Sequence, residues 1–174
     1  MDLQYPIGKF EWSAAISDAQ REQLIDQIER APAQLRQAVA GLTEEQADAP
    51  YRPGGWTVRQ VVHHLSDSHM NIHVRFRLAL TEDQPTIKPF VQERWAALED
   101  ARTAPMELSL TLLESLHRRW VLLLRSMKAA DFTRSFRHPE LGVVTLDKYL
   151  GMAAWHGCHH IAHITSLRDR MGWN

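Results

Sequence analysis

At 174 residues, 44% hydrophobic and 24% charged, the chain is long enough to bury a core and has the balance of a soluble globular protein. A formal net charge of -1 with no basic run excludes the positive footprint of a dedicated nucleic-acid binder. No apolar segment opens the chain as a secretory signal would, Trp120 to Leu124 is too short to span a bilayer, and the lone Cys158 cannot close an internal disulfide, so a single cytoplasmic domain over 1–174 is expected.

Three helix starts carry the pattern in which a hydroxyl and a Gln three residues on satisfy each other's free amides. They are Ser17 to Gln20, Thr43 to Gln46 and Thr57 to Gln60. The first opens a helix to about Ala40, stopped by Gly41, with a kink expected at Pro32. The second opens a short turn that ends before Pro50. The third follows the turn Arg52-Pro53-Gly54-Gly55 and opens a long helix to about Thr81. Beyond Pro85 and Pro89 a short helix over roughly 91–100 is expected, then a long one over about 106–128. Asp131 to Gly142 reads as a loop or short hairpin. Thr145 then caps the last long helix, which ends near Met171-Gly172. Four long amphipathic helices with unequal connections predict an all-α, up-down four-helix bundle with long crossover connections and short extra helices.

Eight of the ten histidines fall in two windows, His63, His64, His69 and His73 upstream and His156, His159, His160 and His163 downstream. Neutral imidazole is the commonest protein ligand for a transition metal. At about 100° per residue, Leu146, Tyr149, Ala153, Ile164, Leu167 and Met171 share one apolar stripe, with His160 in its middle. His156 lies one turn earlier on nearly the same face, His163 lies roughly 60° to the same side, and His159 points about 100° away. His156 and His160 are therefore the chelating pair of this helix. In the Thr57 helix the stripe is Val58, Val61, Leu65, Ile72 and Phe76; His64 flanks it beside Ser68, Asn71 and Arg75, and His63 points away. His64, His156 and His160 together give three nitrogens from two helices with a coordination position left open, the arrangement of a catalytic metal.

The plainer readings are solvated or hydrogen-bonded histidines for His63, His73, His117 and His138, and a half-buried thiol facing away for Cys158. Asp67, one turn from His64, can orient it from behind or be a solvated helix residue; His163 stands in the same supporting position for the other helix. Trp56, Trp95, Trp120 and Trp155 offer wall material for a cavity, although core packing is the ordinary job for such residues.

Tyr5-Pro6-Ile7-Gly8, the block Gly55-Trp56-Thr57-Val58-Arg59-Gln60-Val61-Val62-His63-His64-Leu65 with Asp67-Ser68-His69, and His156 to His163 followed by Arg170-Met171-Gly172-Trp173 resemble the YfiT group of the DinB-like superfamily. The resemblance runs from about residue 5 to 173. It implies a four-helix bundle, a homodimer, and one divalent metal per chain, nickel or zinc, held by three histidines. In the family pattern the first ligand lies eight residues after a tryptophan, which from Trp56 is His64; the others are the ends of an H-x-x-H-H block, His156 and His160. Family pattern and helix geometry select the same three residues.

The resemblance implies a metal-dependent hydrolase acting on a small-molecule substrate, or a transferase joining a low-molecular-weight thiol of the bacillithiol type to an electrophile. An open metal position can lower the pKa of water toward ~7 or hold a thiol as its thiolate. The sequence has no glutamate placed like that of an H-E-x-x-H helix. A third reading is a metal-binding bundle without turnover, acting in stress response through partners.

Overall fold

The computed structural model describes residues 2–12 and 16–173. Four long helices dominate: α1 (Asp18–Val39), α3 (Val58–Thr81), α6 (Met106–Ser126) and α8 (Leu146–Met171). Short helices α2 (Glu44–Ala47), α4 (Gln92–Ala96), α5 (Glu99–Thr103) and α7 (Ala129–Phe132) fill the connections. The single short helix expected over 91–100 is thus two, broken at Ala97-Leu98, and neither has a side-chain cap. The stretch before α8 resolves as a hairpin of β1 (Ser135–His138) and β2 (Gly142–Thr145), antiparallel with Phe136 opposite Val144. The bundle therefore carries one small two-stranded sheet in addition to its helices.

The three expected capping boxes form. Ser17, Thr43 and Thr57 each accept from the amide three residues on, and Gln20, Gln46 and Gln60 each return a bond to the cap amide at 2.9 Å. Such caps contribute about 1 kcal/mol each. Thr145 stands at the start of α8 without a side-chain bond, its backbone already committed to β2. α8 stops at Gly172, which takes the left-handed conformation (φ 65°). Helix α1 runs continuously from Asp18 to Val39 with Pro32 inside it.

Helices α6 and α8 each pack against both α1 and α3. The α1–α3 and α6–α8 links therefore join opposite corners of the bundle, while the α3–α6 link, which carries α4 and α5, joins neighbours. On every long helix the buried apolar residues fall into two groups. One cluster holds Ile25 and Ile28, Phe76, Trp120 and Tyr149; the other holds Leu35, Leu65, Leu113 and Ile164. Burying each large side chain contributes about 1.5–3 kcal/mol. Between the clusters lies a belt of imidazoles: the buried His64 and His69 from α3, His117 from α6 and His160 from α8, with the half-buried His156 beside them. Met171, assigned to the apolar stripe, is instead exposed at the C-terminal end of α8.

Gly157 lets this belt close. A Cβ there would lie 3.5 Å from Ala31 Cβ and 3.5 Å from His69 Cε1, so α8 meets α1 and the His69 ring at van der Waals distance. Gly157→Ala should fold with stability unchanged or raised by up to about 1 kcal/mol, from the helix preference for alanine. Gly157→Leu has nowhere to place its branch and should lose about 1–3 kcal/mol in denaturant unfolding. Among the described residues, no helix is long and apolar enough to cross a membrane.

Candidate metal centre

His64, His156 and His160 each present a nitrogen within 4.8 Å of the other two. Their rings are 4.5 Å (His156 to His160), 4.6 Å (His64 to His160) and 5.5 Å (His64 to His156) apart between centroids. All three are buried apart from a partly exposed edge of His156. Burial pushes the His64 pKa down to about 3 and those of His156 and His160 well below the ordinary 6.5, with the neighbouring imidazoles acting in the same direction. The three rings are thus neutral at pH 7, and each keeps a lone pair. Close-packed neutral imidazoles with no carboxylate in the group have little to hold them together except a cation, and three nitrogens suit zinc or nickel. The donor set fits a divalent metal.

A second group, His159, His160 and His163, also brings nitrogens within 4.8 Å. It shares His160 with the first, and its other members are engaged elsewhere. His163 Nε2 donates to the Gln4 carbonyl at 3.1 Å while the ring stacks on Tyr51 at 4.0 Å; His159 stacks on Trp155 at 4.4 Å. His163 therefore ties the N-terminal segment down beside the site and makes no hydrogen bond to a member of the first group among the described residues.

Asp67, for which helix spacing leaves an orienting role and a solvated one both open, makes no hydrogen bond to His64 among the described residues. Its carboxyl is pushed up to about 6 by burial and by Asp100. The neighbour of the His64 ring is Ser68, whose Oγ lies 3.2 Å from Nε2 and 3.4 Å from Nδ1. Serine one turn on shares His64's side of the helix, whereas position 67 is turned about 60° off that line.

The remaining histidines separate cleanly. His63 bridges α3 to its neighbours, with Nδ1 2.7 Å from Ser109 Oγ and Nε2 donating to the Ala104 carbonyl at 3.1 Å. His138 accepts from the Glu140 and Leu141 amides in the hairpin turn. His73 packs against Trp120. Cys158 faces away from the metal candidates, and burial raises its thiol pKa. His69 and His117 were not distinguished by sequence, yet both lie in the belt, hydrogen-bonded to each other at 2.7 Å.

A cavity of about 400 Å³ is lined by His156, His159 and His160, with Tyr51, Trp56 and Trp155 as aromatic walls. Its size suits a small molecule. Trp56 is placed by the Tyr51-to-Trp56 turn, closed by the Tyr51 amide donating to the Trp56 carbonyl at 3.0 Å. Gly54 there has φ +68°, and a Cβ on Gly55 would come within 2.7 Å of Arg52 Cγ. That turn sets Trp56 4.5 Å from the His64 ring. Of the other tryptophans, Trp155 lines the cavity, Trp120 is buried in the core, and Trp95 packs on Phe90. Arg52 and Glu93 also line the cavity, and sequence gave no sign of either, because the turn and α4 bring them there from outside the histidine helices.

The family model of the DinB superfamily matches residues 27–164. Relatives from Bacillus mycoides (strain KBAB4) and Bacillus cereus (strain 03BB102), each provisionally named a metal-dependent hydrolase, are 52% identical over 99% of both chains. The solved structure of YfiT from Bacillus subtilis, described as a probable metal-dependent hydrolase with an unusual four-helix bundle topology, superposes with a TM-score of 0.97 at 50% identity over the whole of both chains. TT2238, a four-helix bundle protein, matches with a TM-score of 0.55 at 20% identity over 81% of this chain and 94% of its own, a likeness of fold.

Proposed function

The chain belongs to the DinB superfamily, and on that footing we propose that it is a divalent-metal-dependent hydrolase with His64, His156 and His160 as ligands and zinc or nickel as the ion. The observation that carries this reading is the convergence of three neutral imidazoles from α3 and α8 beside a cavity of small-molecule size. The names of the Bacillus relatives and of YfiT support the same class.

When bound, the cation supplies Lewis acidity that polarises a substrate oxygen and lowers the pKa of a water or thiol. The chain's own groups do the rest. Trp56 and Tyr51 give the substrate apolar walls and keep bulk water from one side. Arg52 lines the cavity with no carboxylate partner among the described residues; it donates to Tyr51 Oη and the Pro53 carbonyl, so it is free to pair with an anionic substrate. Glu93 lines the same cavity, and in this reading its carboxylate is the base that takes a proton from an attacking water.

A second reading, transfer of a low-molecular-weight thiol to an electrophile, is favoured by the exposure of Glu93, which lies on the short helix α4 and so is a loosely held base. A thiol ionised by the cation needs no base to become a nucleophile. The two readings separate on one zinc-loaded preparation. Hydrolysis predicts ester cleavage that stops on chelation and falls by about a hundredfold in Glu93→Gln. Thiol consumption with no ester cleavage would put transfer in its place, and silence toward both substrate sets would remove the enzymatic reading.

A further inference from the structure

Behind His156, away from the cavity, a line of hydrogen bonds runs into the bundle and ends on helix α1. Pro32 has no N–H, so the carbonyl of Ile28, four residues earlier, is left without its helical donor. His117 Nδ1 lies 2.6 Å from that oxygen. A carbonyl only accepts, so Nδ1 of His117 carries the proton, and in a neutral ring the lone pair is on Nε2. His117 Nε2 is 2.7 Å from His69 Nδ1, which must therefore be the donor. His69 Nε2 is then an acceptor, and it lies 3.3 Å from His156 Nδ1. The proton of His156 is thereby placed on Nδ1 and its lone pair on Nε2.

The rings along this line are fixed from the sides. His69 and His117 are 6° from parallel with centroids 4.9 Å apart, a geometry that accommodates an in-plane N–H···N bond. Both stand edge-on to the fully buried Trp120, at 6.0 and 5.6 Å, and Gly157 brings the α8 backbone against His69. Burial keeps all three rings neutral, pushing His117 down to about 4 and His69 and His156 well below the ordinary 6.5. The line ends on a backbone carbonyl, which can neither give nor take a proton at neutral pH, so it is no route for protons to solvent.

We propose that His117 and His69, anchored on the carbonyl freed by Pro32, are positioning residues that lock His156 in the tautomer with its Nε2 lone pair available to the metal. The proposal rests on His156 being a ligand. An imidazole with a hydrogen-bond acceptor behind it is both oriented and made more basic, and such partners commonly carry 10- to 100-fold in metal affinity.

Nitrogen-15 NMR of histidine-labelled, metal-free protein at neutral pH reads the tautomers directly. His69, His117 and His156 should all be protonated at Nδ1; a His156 protonated at Nε2 overturns the proposal. Zinc affinity measured by chelator competition forms the second arm. His117→Phe keeps the size but removes donor and acceptor, and should weaken zinc by about 10- to 100-fold while His156 loses its single tautomer. His117→Gln offers an amide to Ile28 and an oxygen to His69, and should restore most of the affinity. Equal zinc affinity in wild type and His117→Phe overturns the proposal, as does failure of His117→Gln to rescue a folded protein. If His117→Phe does not fold, the wild-type tautomers decide alone. Absence of zinc binding by the wild type would overturn the metal site itself, a result distinct from a wrong tautomer in the metal-free protein.

Discussion

His160→Ala should fold as the wild type does and hold no metal, with affinity for zinc down by more than about a hundredfold, beyond the usual effect of losing a partner behind a ligand. The structure shows why these two effects part company. His160 forms no hydrogen bond among the described residues, and its Nδ1 is buried without a partner. Removing the ring therefore breaks no network, and the apolar residues of α8 on either side of it, Ala153 and Ile164, stay in their clusters. His63→Ala should do the reverse. It deletes the bridge to Ser109 and Ala104 and should lose about 1–3 kcal/mol in unfolding, while metal content stays at the wild-type level. Elemental analysis and denaturant titration of both variants give four numbers. Full metal occupancy in His160→Ala would end the three-histidine centre.

The bundle and the three converging histidines were legible because their determinants are local. A capping box is written in four consecutive residues, and the direction of His64, His156 or His160 follows from the angle each makes with the apolar stripe of its own helix. Pairings between helices are not written that way. His117 could be placed on α6 from sequence, but nothing on α6 marks that it faces the Ile28 carbonyl. The one local sign was Pro32, which frees that carbonyl as surely as it threatens a kink. For Asp67, helix spacing alone leaves orienting His64 and facing solvent both open, because it shows proximity only in projection; in the structure the Ser68 hydroxyl is the neighbour of the ring. Glu93 and Arg52 enter the cavity from a short uncapped helix and a glycine turn, whose paths depend on packing that no periodicity records.

Without metal, the protein should lose stability steeply as the pH falls from about 7 to 5, and metal should oppose that loss. Burial lowers the folded-state pKa of His64 to about 3 and of His117 and His159 to about 4, from an ordinary 6.5. Above pH 6.5 neither the folded nor the unfolded chain binds these protons, and their stabilising contribution is complete. Below it the unfolded chain takes them up while the folded chain refuses, so stability declines until the pH reaches the folded-state values. Each such group costs up to about 1.4 kcal/mol per pH unit within that window. Three of them acting together between pH 6.5 and 5 remove several kcal/mol, a sum comparable with the whole stability of a domain of ~5–15 kcal/mol. A metal binds only the neutral rings of the folded site. At a hundred times its Kd it adds about 2.7 kcal/mol and moves the acid transition to lower pH. Urea midpoints measured across pH 7.5 to 5, with and without zinc, check both parts. A midpoint that stays flat over that range in metal-free protein would mean that these histidines are not buried as neutral rings. A zinc effect of equal size in His160→Ala would mean that the stabilising ion sits elsewhere.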